Sequence, residues 1–166
     1  MYYYHVLSLL SELIIAQTIN DLEQENKFRP LKIYLLEDSE ADAKLMELAL
    51  EEIEISYQLQ VVNDPEVLLE SLDQLIPAEE VPVSLLLFLL DLEVPKLSGL
   101  ELIEKIRHRF DKDHFPIVVY SGSQNTKSIT TAYHHGANAY LFKSINYLET
   151  VAQLDGMLRY YLKVYE

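Results

Sequence analysis

The sequence predicts an α/β fold in which five parallel strands form one sheet and helices cover both of its faces. From residue 31 onward, short apolar runs alternate with segments whose apolar residues recur at helical spacing. Several runs are continuous rather than alternating, which is typical of parallel strands buried on both faces. Strands that alternate with helices indicate βαβ units, whose right-handed crossovers give a doubly wound sandwich.

The predicted elements repeat as a strand followed by a helix. The predicted strands cover residues 31–36, 55–61, 84–90, 116–120 and 139–142. The predicted helices cover residues 40–52, 65–73, 99–106, 127–135 and 147–163. Ser39, followed three residues later by Asp42, resembles a capping box at the start of the first helix. Gly136 occupies the usual position just beyond a helix end.

The order of the strands follows from which runs are fully apolar. The run 84–90 is the most apolar and is expected at the centre, whereas the second run alternates and the fifth is short. We therefore expect the second and fifth strands at the edges, which is the flavodoxin-like order 2-1-3-4-5. Because the chain ends with its fifth helix, we expect no DNA-binding or catalytic output domain.

Residues 1–29 are expected to form an N-terminal helical extension to a domain that covers residues 30–166. Leu7, Leu10 and Ile14 form an apolar stripe that has to be buried against another surface. We favour packing on the same domain or on a second copy over a dedicated docking signal.

Composition excludes several classes of protein. The chain has 27 acidic and 13 basic residues and a formal net charge of −14, which argues against nucleic acid and against an anionic membrane surface. It has no cysteine, so disulfides and thiol chemistry are excluded. No apolar run is long enough to span a membrane, and the first cationic residue is Lys27, so a signal peptide is not expected. A cytoplasmic location is the resulting prediction.

Polar side chains follow four of the predicted strands. Glu37-Asp38 follows the first, Asp91 the third, Ser121 the fourth and Lys143 the fifth. The carboxyl ends of parallel strands meet at one edge of the sheet, where open α/β sheets bind ligands. Each residue taken singly is more often a loop residue or a helix cap, but the set together predicts a site.

The chemistry of these side chains suits phosphoryl transfer. Glu37, Asp38 and Asp91 offer the oxygens that Mg²⁺ prefers. The Asp91 carboxylate can act as a nucleophile and form an aspartyl-phosphate. Lys143 and Ser121 would then bind phosphoryl oxygens, and Lys143 is expected to pair with Asp91 before transfer.

Four segments resemble the receiver domain of response regulators. They read IYLLEDSEADAKL, LLLFLLDLEVPKLSGLELIEKIR, PIVVYSGS and GANAYLFKS, and Ser121 and Lys143 follow Asp91 by 30 and 52 residues, as in receivers. The resemblance covers about residues 31–166. It implies a signalling phosphoacceptor rather than an enzyme, with a histidine kinase as donor to Asp91. It also implies Mg²⁺ held by Glu37, Asp38, Asp91 and the backbone carbonyl of Glu93.

The resemblance also implies a switch. In receivers, a hydroxyl residue and an aromatic residue move toward the phosphorylated site, and Ser121 and Tyr140 match those positions. The surface formed by the fourth helix, the fifth strand and the fifth helix would change and signal to partners.

Some positions depart from the usual pattern and suggest a subgroup. Ser144 stands where most receivers have proline, Gly122 replaces a more usual alanine, and Glu93 adds an acid beside the site. Together with the long last helix, Ser144 and residues 146–148 resemble stand-alone regulators paired with phytochrome-type kinases. That subgroup, and the apolar stripes on the last helix and the N-terminal extension, predict a homodimer.

Two other functions remain open at the level of sequence. One is a pseudo-receiver that binds a partner without phosphorylation, against which the intact set of site residues argues. The other is a phosphatase that uses Asp91 as nucleophile, with Glu93 as the second acid that such an enzyme requires.

Overall fold

The computed structural model describes residues 30–75, 86–110 and 115–165, together with the single residue Gln17. Five parallel strands form one sheet in the order β2-β1-β3-β4-β5. The strands are β1 (Leu31–Leu36), β2 (Tyr57–Val62), β3 (Leu86–Leu90), β4 (Ile117–Ser121) and β5 (Ala139–Phe142). The predicted flavodoxin-like order and both edge strands are confirmed.

Five helices among the described residues cover both faces of this sheet. They are α1 (Glu40–Glu51), α2 (Pro65–Leu75), α3 (Gly99–Arg107), α4 (Thr126–His135) and α5 (Tyr147–Tyr165). Successive strand side chains point to opposite faces, so the sheet has two cores. Phe88 and Leu90 lie in the core against α2, α3 and α4, whereas Leu87 and Leu89 lie in the core against α1 and α5. The sheet is doubly wound, as the sequence predicts.

The continuous apolar runs are the strands that are buried on both faces. All residues of β3 and β4 are buried, whereas half-buried and exposed residues alternate through most of β2. Burying one leucine side chain stabilises the fold by about 2 kcal/mol. The central strands therefore anchor the edge at which the polar side chains lie.

Side-chain caps begin the helices at this edge. The Ser39 hydroxyl accepts a hydrogen bond from the Asp42 amide at 3.3 Å, so the predicted cap of α1 is present. The reciprocal bond of a capping box is replaced, because the Ser39 amide donates to Glu37 Oε1 at 3.2 Å. A complete capping box joins Ser98 and Glu101 at the start of α3. At the other end of the sheet, α4 ends at Gly136 with φ of 113°, as predicted.

The predictions for residues 1–29, including the apolar stripe of Leu7, Leu10 and Ile14, lie outside the described residues, apart from the helical assignment of Gln17. The loop over residues 76–83 lies outside them as well. Among the helices that the structure describes, none combines the length and apolarity needed to span a membrane.

Candidate functional site

The carboxyl ends of four strands bring the predicted polar side chains to one edge of the sheet. Two backbone hydrogen bonds fix the positions of these strand ends. The Asp91 amide donates to the Leu36 carbonyl at 3.1 Å, and the Lys143 amide donates to the Ser121 carbonyl at 3.0 Å. Because these bonds belong to the sheet edge itself, the site residues are held by rigid structure rather than by long loops.

The Lys143 ammonium lies at the centre of this edge. Its Nζ atom lies 2.7 Å from Glu37 Oε2, 2.8 Å from Asp42 Oδ2 and 2.7 Å from Asp91 Oδ2. An ammonium has three N–H donors, and here each has a carboxylate partner. The structure thus brings Lys143 and Asp91 into the contact that the sequence predicts, and it adds Asp42.

Sequence reasoning missed Asp42, for which the pattern suggests only a role in capping α1. The signal that could have found it is its position in the first turn of the helix that follows Glu37-Asp38. Side chains in a first helical turn lie beside the preceding strand end. Since Glu37 accepts the Ser39 amide, the Asp42 carboxylate is available to bind Lys143.

Burial and charge pull the pKa values of the site in opposite directions. Burial raises the pKa of the Glu37 carboxyl, and the negative charge of Asp91 adds to this, although Lys143 opposes it. Burial by itself would lower the pKa of Lys143, but its hydrogen bonds to Asp42, Asp91 and Glu37 outweigh that effect and raise it. Lys143 therefore remains charged throughout the physiological range of pH.

An aromatic ring lies beside the ammonium. The Tyr120 ring centroid is 5.8 Å from Lys143 Nζ, within the range of a cation–π contact. Burial raises the pKa of Tyr120, and its hydroxyl is hydrogen-bonded to the buried Thr150 at the start of α5. Tyr120 thus links the site to the last helix, a contact that the sequence does not predict.

The three carboxylates predicted to bind a metal converge. One oxygen from each of Glu37, Asp38 and Asp91 lies within 4.8 Å of the others. Oxygens on opposite sides of one Mg²⁺ are separated by about 4.2 Å, since each lies about 2.1 Å from the ion. The donor set is therefore of the right kind and nearly the right span. The backbone of Glu93 lies beside these carboxylates, because its amide donates a hydrogen bond to Asp91 Oδ1 at 3.0 Å.

The two residues of the expected switch contact the same neighbour. Ser121 is fully buried, and its hydroxyl accepts a hydrogen bond from the Ser123 amide at 3.3 Å. The Tyr140 hydroxyl donates to the Ser123 carbonyl at 3.0 Å, and its ring is buried against Phe142. An open cleft of about 390 Å³, which Glu93 and Lys127 also line, reaches Ser121 from the surface.

Comparisons with known proteins agree on one family. The sequence profile described as "Response regulator receiver domain" matches residues 33–155. The chain is 31% identical over 134 residues to the response regulator Rcp1 of Synechocystis sp., which covers 81% of this chain and 90% of Rcp1. It is 28% identical over 114 residues to a probable cyclic di-GMP phosphodiesterase of Vibrio cholerae, but spans 23% of that protein.

Solved structures show the same similarity. The crystal structure of the Mn²⁺-bound form of Rcp1 has a TM-score of 0.64 at 30% identity, with 80% of this chain and 95% of that one covered. The phosphorylated cyanobacterial phytochrome response regulator RcpA has a TM-score of 0.66 at 31% identity, with coverages of 79% and 93%.

Proposed function

Since this chain belongs to the response regulator receiver domain family, we propose that it accepts a phosphoryl group from a histidine kinase on Asp91 and signals through a changed interaction surface. The observation that carries the proposal is the 2.7 Å contact between Lys143 Nζ and Asp91 Oδ2 beside the converging acids. A nucleophilic carboxylate and a fixed positive charge are the two groups that an aspartyl-phosphate requires.

The residues on this edge can perform the transfer with little rearrangement. A carboxylate oxygen of Asp91 attacks the phosphorus atom, the P–N bond to the kinase histidine breaks, and its electron pair stays on the imidazole. Hydrogen bonds from the Glu93 amide and from Lys143 hold the two oxygens of Asp91 beforehand. Lys143 then binds one oxygen of the transferred group, and Ser121 donates to another.

The acidic cluster is assigned to Mg²⁺. Glu37, Asp38 and Asp91 would hold it, with the backbone carbonyl of Glu93 as a further ligand. When bound, the cation supplies positive charge that offsets the charge of the phosphoryl oxygens. The span of the three carboxylate oxygens supports the assignment, and the Mn²⁺-bound structure of Rcp1 supports a divalent cation.

Ser123 couples the two residues of the switch. When the Ser121 hydroxyl turns toward a phosphoryl oxygen, its hydrogen bond from the Ser123 amide is broken. Ser123 is then free to shift, and its carbonyl is the group that accepts the hydrogen bond from the Tyr140 hydroxyl. Since the Tyr140 ring is already buried, the loop between β4 and α4 is the part that moves most. The surface formed by α4, β5 and α5 would carry the signal to a partner.

The nature of the partners follows from the relatives and from the surface. RcpA is described as a phytochrome response regulator, so we assign a phytochrome-type histidine kinase as the donor. Leu148, Tyr160 and Val164 on α5 are large, apolar and exposed, which favours a homodimer. The net charge of −14 favours protein partners over nucleic acid or membranes, in keeping with a cytoplasmic regulator.

Intact-mass measurement after incubation with Mg²⁺ and acetyl phosphate tests the proposal. We expect one phosphoryl group per chain, lost in Asp91→Asn and retained in the control Asp64→Asn, which removes a half-buried carboxylate, paired with Lys96, in the turn that follows β2. An unlabelled wild-type chain would instead identify a pseudo-receiver. Release of many phosphates per chain would identify a phosphatase.

A further inference from the structure

Two positive charges are assigned to the same carboxylates. Lys143 binds Glu37 and Asp91, and these two residues also belong to the cluster assigned to a divalent cation. Each carboxylate has two oxygens, so a bound cation can share them with Lys143, but it offsets part of the negative charge of both groups. The attraction of Glu37 and Asp91 for the Lys143 ammonium would then weaken at the same time.

Asp42 is the third partner of Lys143, and the cation does not compete for it. Among the described residues, the group that offers oxygens to a metal contains Glu37, Asp38 and Asp91 but not Asp42. We propose that Asp42 is a positioning residue that retains the Lys143 ammonium at the site when a cation takes Glu37 and Asp91. The proposal rests on the function given above, because the retained ammonium is the group that meets the phosphoryl oxygen.

The local structure gives Asp42 a fixed position from which to do this. Its amide is bound by the Ser39 hydroxyl, so the first turn of α1 is anchored at the residue itself. Its side chain is 45% exposed, against 3% and 8% for Glu37 and Asp91. Asp42 therefore lies at the rim of the site, where its carboxylate keeps its full charge for Lys143 when the deeper carboxylates share theirs with the metal.

The energetic reason is the burial of Lys143. Its side chain is 19% exposed, and an ammonium that is largely withdrawn from water without a partner is strongly destabilised. Asp42 removes that penalty in the cation-bound state.

A simple effect of charge has to be separated from positioning, because any acid near the site attracts a cation. Glu40 provides the matched control, since it lies in the same first turn of α1 and is exposed. Glu40→Gln and Asp42→Asn each remove one negative charge from this turn. Asp42→Glu keeps the charge and lengthens the side chain by one methylene group.

Calorimetric titration of the full chain with Mg²⁺, and separately with Mn²⁺, is the first test. We expect Asp42→Asn to weaken cation binding by about tenfold, a loss similar to that of one charged hydrogen bond. Glu40→Gln should weaken binding by about twofold, as an exposed charge screened by solvent does. Asp42→Glu should restore most of the affinity. Equal effects of Asp42→Asn and Glu40→Gln would overturn the proposal.

The ¹⁵Nζ resonance of Lys143 at saturating Mg²⁺ is the second test and needs no variant to fold. In the wild-type chain the ammonium protons should exchange slowly with water, as expected of a bound ammonium. Rapid exchange would overturn the proposal. Both tests are independent of labelling by acetyl phosphate. A chain that binds Mg²⁺ as described but is never phosphorylated therefore contradicts the proposed function and leaves the role of Asp42 standing.

Discussion

The Tyr140 hydroxyl donates a hydrogen bond to the Ser123 carbonyl over 3.0 Å and so ties β5 to the loop between β4 and α4. The amide of the same serine donates to the Ser121 hydroxyl. One residue thus contacts both members of the proposed switch. A displacement of Ser121 reaches Tyr140 through a single residue rather than through the sheet.

Tyr140→Phe tests the strength of this link. The substitution keeps the buried ring and removes the donor to Ser123, so the free energy of unfolding should fall by about 1 kcal/mol, the usual net value of such a bond. Urea denaturation followed by circular dichroism measures the change. The β4–α4 loop should also exchange its amide hydrogens faster.

Tyr160→Phe is the matched control. Tyr160 lies on α5 and is 62% exposed, so loss of its hydroxyl should leave the unfolding midpoint within experimental error. If both variants unfold at the midpoint of the wild-type chain, the Tyr140–Ser123 bond contributes nothing to the native state, and the coupling path through Ser123 loses its basis.

A second prediction concerns pH and the contact between Asp64 and Lys96. The Lys96 ammonium donates to the Asp64 carboxylate and joins the turn after β2 to the loop after β3. This hydrogen bond lowers the pKa of Asp64. A carboxyl group whose pKa is lowered on folding stabilises the native state above its unfolded pKa of about 3.9 and loses that contribution as the pH falls through the folded value.

NMR titration of the Asp64 side-chain carboxyl measures the effect directly. We expect its midpoint below about 3.9 in the wild-type chain and higher in Lys96→Met, which keeps only the hydrogen bond from the Glu66 amide to lower the pKa of Asp64. Lys44→Met is the control, since Lys44 pairs with Glu47 on α1 and not with Asp64. If the midpoint of Asp64 is the same in Lys96→Met as in the wild-type chain, the ion pair between Asp64 and Lys96 is not formed in solution.

The hydrophobic pattern was sufficient to predict the sheet. Burial on two faces selects continuous apolar runs, and β3 and β4 are buried along their whole length. The alternation in residues 55–61 predicts an edge strand for the same reason, although the strand itself begins at Tyr57. Once the order of the strands is known, the ends that carry Asp91 and Lys143 must meet at one edge.

Contacts made by long side chains could not be predicted in the same way. Arg107 reaches from the end of α3 to the carbonyls of Gly136 and Phe115 and to Asn138 Oδ1, at 2.9, 2.8 and 2.6 Å. No periodicity marks such a contact, because it depends on the packing of α3 against the loop before β5. The role of Asp42 could not be predicted for a related reason. Its amide takes part in the cap of α1, but its carboxylate binds Lys143, which lies far away in the sequence.

The last prediction concerns Gly99, which lets α3 begin directly beside the loop that follows Asp91. A Cβ atom at this position would lie 2.6 Å from the Leu92 Cα atom and 3.0 Å from the Asp91 carbonyl oxygen. Because both contacts involve backbone, Gly99→Ala has to displace the loop. We expect it to lower the free energy of unfolding by about 1–3 kcal/mol, as overpacking does, and to slow labelling of Asp91 by acetyl phosphate.

Gly156→Ala should have the opposite effect. Gly156 lies within α5, and a Cβ atom there would meet nothing within 4 Å. Alanine restricts the unfolded chain and favours the helix, so the free energy of unfolding should rise by about 0.5–1 kcal/mol, with labelling unchanged. Urea denaturation of both variants decides the matter. If Gly99→Ala is as stable as Gly156→Ala and is labelled at the same rate, the close approach of α3 to the Asp91 loop does not constrain the site.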